Sequence, residues 1–304
     1  MRPTWRTTFS LAGLVVQNTT LVFSLKYSYR PDADAYIEST VLLCAEVLKF
    51  LCCSVLITSS HGIGAVRDAL YELPSKTALA LPSLSYVLQN YLLFQAVHIL
   101  PPTVYVVCAQ GKIITTAMFS SVLLGTKYKR VQLLSIAVLF VGITLVQVSA
   151  NRHHAVVTTD RDLPMPRGLF YIFFACCTSG LTGVFLERSF KEPLSCIWTK
   201  NFHMCTFSVP VTFLSIALQV GGLRRGVFSG FDGIVIVVVI LQALGGLLTA
   251  FTLRFASSLS KCFAVSMSIC LCAVISAIAG QEQITLTSGV GIFLVNCAIF
   301  FFIR

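Results

Sequence analysis

Three lysines lie within long apolar stretches of the sequence, where a charge is difficult to solvate. Lys112 lies near the middle of VYVVCAQGKIITTAMF (residues 104–119), Lys49 lies in AEVLKF, and Lys261 lies in SKCFAVSMS. A lysine at the centre of a bilayer costs about 2.5–3.5 kcal/mol on insertion scales, and such residues usually have a function. An ammonium is a compact point charge that suits a phosphate group. The pattern therefore predicts an anion site, and two such cations would suit a diphosphate.

The three lysines differ in their local surroundings. Glu46 stands three positions before Lys49, on the same face of a helix, so the sequence predicts a structural ion pair between them. Lys261 lies close to a predicted helix start, from which its ammonium can also reach the membrane surface. Lys112 has no acid within a helical turn and lies roughly ten residues from either end of its predicted helix. Lys112 is therefore the main candidate for a phosphate contact.

Polar and aromatic residues on the same predicted helices provide groups that can recognise a nucleoside. Tyr86 and Asn90 are four residues apart and share a helix face, Tyr105 lies seven residues before Lys112, and Asn201 lies near a helix start. A tyrosine can stack on a base, and an asparagine can hydrogen-bond a base or a ribose. Hydrogen bonding between helices is the alternative role for each of these residues.

The elements that must position these residues are membrane helices. The chain of 304 residues is 56% hydrophobic and only 11% charged, whereas soluble domains are about a quarter charged. The net charge of +10 comes from short basic clusters between apolar runs, so no nucleic acid is predicted as a partner. Since about twenty apolar residues cross a bilayer, the sequence predicts an all-α integral membrane protein with ten transmembrane helices. They are 8–27, 36–58, 77–99, 102–124, 131–149, 167–188, 194–219, 233–253, 259–280 and 284–303.

The sequence contains signs of an internal repeat. GITLVQ at 142–147 resembles GIFLVN at 291–296, and the same offset of 149 residues places Lys112 on Lys261. The predicted organisation is a first five-helix repeat at 1–150, a lumenal linker at 151–168 and a second five-helix repeat at 169–304. Because five is odd, the two repeats are inverted, which places a substrate site near the middle of the membrane in many carriers.

The distribution of lysine and arginine predicts the orientation of the chain. Twelve of these residues fall on one side of the predicted spans and seven on the other. Because basic residues are enriched on the cytoplasmic side, both termini are predicted to be cytosolic.

Several motifs together resemble those of the eukaryotic nucleotide-sugar transporters, in the branch that carries CMP-sialic acid, UDP-galactose and UDP-N-acetylglucosamine. They are SLSYVLQN, VYVVCAQGKIITTAMFSSVLL, GITLVQ, SGLTGVFLERSFK, IWTKNFHM and SKCFAVSMS, in the family's order through nearly the whole chain. The resemblance implies the drug/metabolite transporter fold and a Golgi or endoplasmic reticulum membrane. It also implies an antiporter that exchanges lumenal nucleoside monophosphate for cytosolic nucleotide sugar.

The resemblance also implies roles for individual residues. Two lysines would contact the substrate phosphates, the tyrosines and asparagines would face the nucleoside, and a helix-two lysine would lie close to the substrate. This last implication competes with the structural ion pair predicted from spacing. The implied substrate-binding residues are Lys112, Lys261, Tyr86, Asn90, Tyr105, Asn201 and Lys49.

The exact substrate stays open at the level of sequence. IITTAMFS after Lys112 is more similar to the UDP-galactose and UDP-N-acetylglucosamine carriers, which favours a UDP-sugar. The chain departs from common family residues at Ala109, Gly111, Cys205 and Cys262. A CMP-sialic acid transporter or another phosphorylated-metabolite carrier of the same fold therefore remains an alternative.

An enzyme that acts on nucleotide sugars is the alternative class of protein. A membrane transferase would need paired carboxylates or a metal cluster at a cytosolic surface, but DAD at 32–34 and DRD at 160–162 lie in predicted lumenal links. We therefore expect neither catalysis nor a cofactor or metal. A homodimer is compatible with this class, and the sequence does not determine the oligomeric state.

Overall fold

The computed structural model describes residues 5–30, 36–151, 165–192, 196–218, 226–280 and 285–303, and the regular elements in these ranges are all helical. Helices suit a chain in hydrocarbon, since they satisfy their backbone hydrogen bonds internally. A 3-10 helix, Leu73–Leu79, precedes the fourth α-helix. The α-helices are α1 Trp5–Ser28, α2 Glu38–His61, α3 Ile63–Glu72, α4 Ala80–Ile99, α5 Pro102–Ala109, α6 Gly111–Leu124, α7 Arg130–Asn151, α8 Met165–Phe190, α9 Ile197–Leu218, α10 Gly233–Phe255, α11 Ser258–Ile278 and α12 Leu286–Ile303.

The predicted integral membrane character is confirmed. Seven helices of the described ranges are long and apolar enough to cross a membrane, and a shorter apolar helix occupies Leu286–Phe302. Each of the ten predicted segments coincides with a helix, although the predicted helix at 102–124 is divided into α5 and α6. Helix α3 was not predicted.

The helices form two compact units. One unit comprises Met1–Val87 and Ser189–Ala256, and the other comprises Leu88–Arg188 and Ser257–Arg304. Each unit thus combines helices from the first and second halves of the chain, so the units differ from the predicted repeats at 1–150 and 169–304. The repeats were defined by sequence similarity, whereas the units are defined by which helices pack together. The units therefore do not test the repeat boundaries, which stay a prediction.

In the first unit, α2 packs against α9 and α10, and α10 also packs against α1. Small and branched residues of α2 and α10, such as Ala45 and Val238, form one buried cluster. A second cluster contains Cys53 and Ile57 of α2 with Phe202 of α9. Small residues allow close helix approach, which is the main source of helix association in a membrane.

An ion pair joins α1 to α10 at one end of the first unit. Arg30 Nη2 lies 2.9 Å from Asp232 Oδ2, and Asp232 Oδ1 caps α10 by accepting the Val235 N–H at 2.9 Å. The hydrogen bond from Val235 and the Arg30 guanidinium hold the pKa of this carboxyl below its usual value. Asp232 therefore stays charged at any physiological pH and keeps both contacts.

In the second unit, α7 and α12 pack together at a pair of glycines. Gly142 and Gly291 face each other, and a methyl group on Gly291 would lie 2.7 Å from Gly142 O and 2.8 Å from Val146 Cγ2. The contact is reciprocal, since a methyl group on Gly142 would lie 3.0 Å from Gly291 O and Val295 N. Glycine at both positions is what lets the two backbones meet.

This crossing predicts a stability loss in the variant Gly291→Ala. Its added methyl group meets backbone atoms that cannot rotate away, so we expect a loss of about 1–3 kcal/mol, typical of overpacking. Thermal unfolding of the detergent-purified protein measures the change. The control is Gly233→Ala, where an added methyl group meets nothing within 4 Å. Equal melting temperatures for the two variants would contradict the assigned crossing.

Candidate anion-binding site

Lys112 lies early in α6, one residue after the break at Gln110 that separates α5 from α6. The Gln110 backbone is itself helical (φ −70°, ψ −14°), and Val104–Leu124 forms one membrane-length span with Lys112 near its middle, as expected from sequence. Gln110 occupies the interruption, where its buried side-chain amide donates to Gln147 Oε1 at 2.6 Å.

Lys261 occupies a similar position on α11. It lies in the first turn of this helix, as expected from sequence, and its N–H donates to Ser257 O at 3.0 Å. Ser257 caps the helix by accepting the Ser260 N–H. Helix N-termini favour anions because unpaired N–H groups and the helix dipole point outward there.

The two lysines lie near each other in the second unit. Helices α6 and α11 pack together, and Ile113 and Leu259, both fully buried, belong to one cluster. Each lysine is thus adjacent in sequence to a residue of this cluster or one packed on it, Ile113 after Lys112 and Cys262 after Lys261. Within the part of the chain that the structure describes, neither ammonium has a carboxylate partner. An anion placed between them would relieve repulsion between their charges.

Helix α8 fixes the start of α6. Thr115 Oγ1 donates to Cys176 O of α8 at 2.8 Å. One turn further along α8, a methyl group on Gly180 would lie 2.8 Å from Thr116 N. The α6 backbone therefore lies directly against α8, three to four residues after Lys112.

The same face of α8 also fixes the start of α11. Glu187 is buried and accepts the Ser258 N–H at 2.6 Å, and Gly183 leaves room for the Ser258 side chain. A carboxylate at a helix N-terminus stabilises the helix through its dipole. Glu187 therefore holds the first turn that carries Lys261. Its role was not predicted from sequence, although an acid in an apolar segment signals a buried partner.

Lys49 lies in the first unit and confirms the predicted ion pair. Lys49 Nζ is 2.6 Å from Glu46 Oε1, and both side chains are largely buried. Ser208 of α9 donates to Glu46 Oε2 at 2.5 Å, a third partner that sequence did not indicate. A methyl group on Gly246 of α10 would lie 2.7 Å from Lys49 Cδ, so this glycine leaves space for the lysine.

The remaining predicted site residues have varied surroundings. Tyr105 is half-buried beside the cluster of α4, α5 and α8. Tyr86 of α4 is 40% exposed. Asn201 is buried and donates to Ile197 O at 3.1 Å. The side chain of Asn90 lies outside the described residues.

The structure thus brings together the two lysines that the resemblance assigns to phosphate. Tyr105 belongs to the same unit as Lys112 and Lys261, whereas Lys49, Tyr86 and Asn201 belong to the other unit. A single substrate site formed by all of them stays a prediction.

The chain has recognisable relatives. Residues 6–303 match a family model described as nucleotide-sugar transporter. A UDP-N-acetylglucosamine transporter of Rattus norvegicus is 34% identical over 88% of this chain and 85% of its own. A UDP-N-acetylglucosamine/UDP-N-acetylgalactosamine transporter of Caenorhabditis elegans is 32% identical over 96% of this chain and 92% of its own. A UDP-galactose translocator of Canis lupus familiaris is 33% identical over 88% of this chain and 69% of its own.

A solved crystal structure shares the fold. It is similar with a TM-score of 0.70 and covers 97% of this chain and 95% of its own, at 12% sequence identity. At that identity the likeness concerns the backbone arrangement alone.

The Glu46–Lys49 pair predicts strong coupling between its members. Glu46→Gln or Lys49→Met alone leaves the other charge unpaired in a low dielectric, which should cost about 3–5 kcal/mol if the pair is fully buried. The double variant should recover much of that stability. A double-mutant cycle on thermal unfolding measures the coupling, which we expect to be at least about 0.5 kcal/mol. Additive losses would show that the pair contributes nothing.

Proposed function

The chain belongs to the nucleotide-sugar transporter family, and from that premise we propose that it moves a cytosolic UDP-sugar into the Golgi lumen in exchange for a nucleoside monophosphate. Its family and its relatives are transporters and not enzymes. The observation that carries the proposal is the pair Lys112 and Lys261, two cations on packed helices without a carboxylate partner among the described residues.

A diphosphate fits this pair by charge. The diphosphate of a UDP-sugar carries one negative charge on each phosphate, so one ammonium can contact each group. The N-terminus of α11 would add a favourable dipole end to the same anion. Tyr86, Asn90, Tyr105 and Asn201 would contact the nucleoside through stacking and hydrogen bonds.

The relatives support a UDP-sugar as the substrate but do not distinguish which sugar it carries. Carriers named for UDP-N-acetylglucosamine and for UDP-galactose are 34% and 33% identical to the chain. We favour these two substrates. CMP-sialic acid, which carries one phosphate, is the alternative and would need only one of the two lysines.

The proposed architecture is ten spans in two inverted five-helix repeats. The offset that relates GITLVQ to GIFLVN pairs Gly142 with Gly291, and these two glycines meet in reciprocal contact. The same offset pairs Lys112 with Lys261. Reciprocal contacts between equivalent residues are what a two-fold axis between the repeats would produce.

Exchange by the purified protein in liposomes tests the function. Liposomes loaded with UMP, CMP or buffer are offered radiolabelled UDP-N-acetylglucosamine, UDP-galactose, UDP-N-acetylgalactosamine or CMP-sialic acid. We expect rapid uptake of a UDP-sugar only into UMP-loaded liposomes. Uptake of CMP-sialic acid alone would replace the proposed substrate, and equal uptake into buffer-loaded liposomes would exclude obligate exchange.

The two lysines should differ in their effects on mono- and diphosphates. A charge-assisted hydrogen bond contributes about 1.5–3 kcal/mol, so Lys112→Ala and Lys261→Ala should each weaken UDP-sugar binding roughly tenfold to a hundredfold. At least one variant should weaken UMP much less, because a monophosphate needs only one cation. Competition against labelled substrate gives both affinities. Lys127→Ala, at an exposed residue of the α6–α7 link, is the control. Unchanged UDP-sugar affinity in both variants would refute the site.

We also propose that both termini and the GTKYKR link at 125–130 face the cytosol, from the bias of basic residues. An epitope tag at residue 1 should then bind antibody in cells whose plasma membrane, but not Golgi membrane, is permeabilised. If the antibody bound only after detergent had opened the Golgi membrane, the result would indicate the opposite orientation.

A further inference from the structure

Helix α3 is a short element between two longer helices and has no counterpart in the predicted spans. It begins at Ile63, directly after the candidate span α2 ends at His61, and it ends at Glu72. Gly62 makes the turn between the two helices with φ +84°, a conformation that glycine adopts without strain. The chain thus leaves α2 and turns at once into α3, so α3 starts at the membrane surface where α2 ends.

One face of α3 is fixed against the first unit. Ala65, Val66 and Ala69 pack on the buried cluster that includes Phe202 of α9. His203, also on α9 and fully buried, donates from Nε2 to Ala69 O at 2.8 Å. These contacts determine which of the other α3 residues point outward.

An adjacent face of α3 is apolar and exposed. Ile63 is 81% exposed, Leu70 is 47% exposed and Tyr71 is 71% exposed, and Arg67 lies among them with its guanidinium over the Tyr71 ring. Their spacing of four, seven and eight residues from Ile63 places all four on one side of a helix.

The acidic residues of α3 lie on a different face. Asp68 and Glu72 are four residues apart and exposed, and they follow Tyr71 around the helix at 100° per residue. Helix α3 therefore has three sectors: a packed sector, an apolar sector that contains one cation, and an acidic sector.

We propose that α3 is an interfacial helix whose exposed apolar sector is occupied by the phospholipid surface. Ile63, Leu70 and Tyr71 insert at the boundary between headgroups and acyl chains, Arg67 contacts lipid phosphates, and Asp68 and Glu72 face water. A cation within an apolar stripe matches this boundary, where phosphates lie directly above hydrocarbon. The continuity with α2 favours lipid over a soluble partner, since a ten-residue helix tied to a membrane span stays at the surface.

Single-tryptophan fluorescence in liposomes tests this arrangement. The chain contains two tryptophans, Trp5 and Trp198, so the background is Trp5→Phe with Trp198→Phe, and it must retain the parent's melting behaviour. One tryptophan is then introduced by Tyr71→Trp or Ile63→Trp on the proposed lipid sector, or by Asp68→Trp on the proposed water sector. Each variant is reconstituted with phosphatidylcholine brominated near the headgroup or near the chain end. Iodide is present on both sides of the bilayer, so protein orientation does not matter.

The sectors predict opposite results. Insertion of about 5–10 Å into the boundary should give Tyr71→Trp and Ile63→Trp blue-shifted emission, and lipid brominated near the headgroup should quench them at least about twofold more than lipid brominated near the chain end. Asp68→Trp should be quenched by iodide and little by either lipid.

Two results would overturn the proposal. Iodide quenching of Tyr71→Trp as strong as that of Asp68→Trp would place the apolar sector in water. Protection of Tyr71→Trp from both iodide and brominated lipid would instead indicate a protein surface, such as a second copy of the chain. A variant that fails to fold is replaced by Leu70→Trp, which tests the same sector.

Discussion

The cost of a bare charge in a low dielectric is the constraint on which the arrangement of this protein depends. Lys49 meets it with a carboxylate, since Glu46 pairs with its ammonium and Ser208 holds the other oxygen of that carboxylate. Gly246 contributes to this arrangement, because any larger residue at its position would displace the Lys49 side chain. The pair therefore fastens α2 to α9 and determines how closely α10 can approach. Removing either member of such a pair leaves the other charge buried and unpaired, which destabilises the fold. The pair therefore defines one packing of these helices.

Lys112 and Lys261 meet the same constraint differently. Neither has a carboxylate among the described residues, and Lys261 lies in the first turn of α11, where a cation is disfavoured by the dipole. Residues of α8 one or two turns apart hold the two helix starts in position: Cys176 and Gly180 act on α6, whereas Gly183 and Glu187 act on α11. Packing and buried hydrogen bonds on one face of α8 thus maintain the electrostatic strain that an anion would relieve.

Sequence alone predicted the features that depend on local pattern. Hydrophobic run length gave 131–149 for a helix that extends over Arg130–Asn151, and a spacing of three residues gave the Glu46–Lys49 pair. Contacts between distant segments were not predicted, because Ser208 lies 162 residues from Glu46 and no local pattern connects them. The interruption at Gln110 was missed since the apolar run continues across it. Helix α3 was missed because only part of its surface is apolar and a membrane-length window averages over it.

The unpaired lysines also bear on why the proposed transporter would exchange substrates. At the proposed site, a bound nucleotide would place its negative charges against Lys112 and Lys261, so the bound state would be close to neutral within the membrane. The empty site would retain the two lysines without an anion, and repulsion between their charges grows wherever water is excluded. If a change between inward- and outward-open states removes water from the site, the empty carrier meets a higher barrier than the loaded one. A monophosphate would then be sufficient to lower that barrier on the return step, because its charge offsets that of at least one of the two cations. Under this proposal, coupled exchange would follow from the difference in charge between the two states.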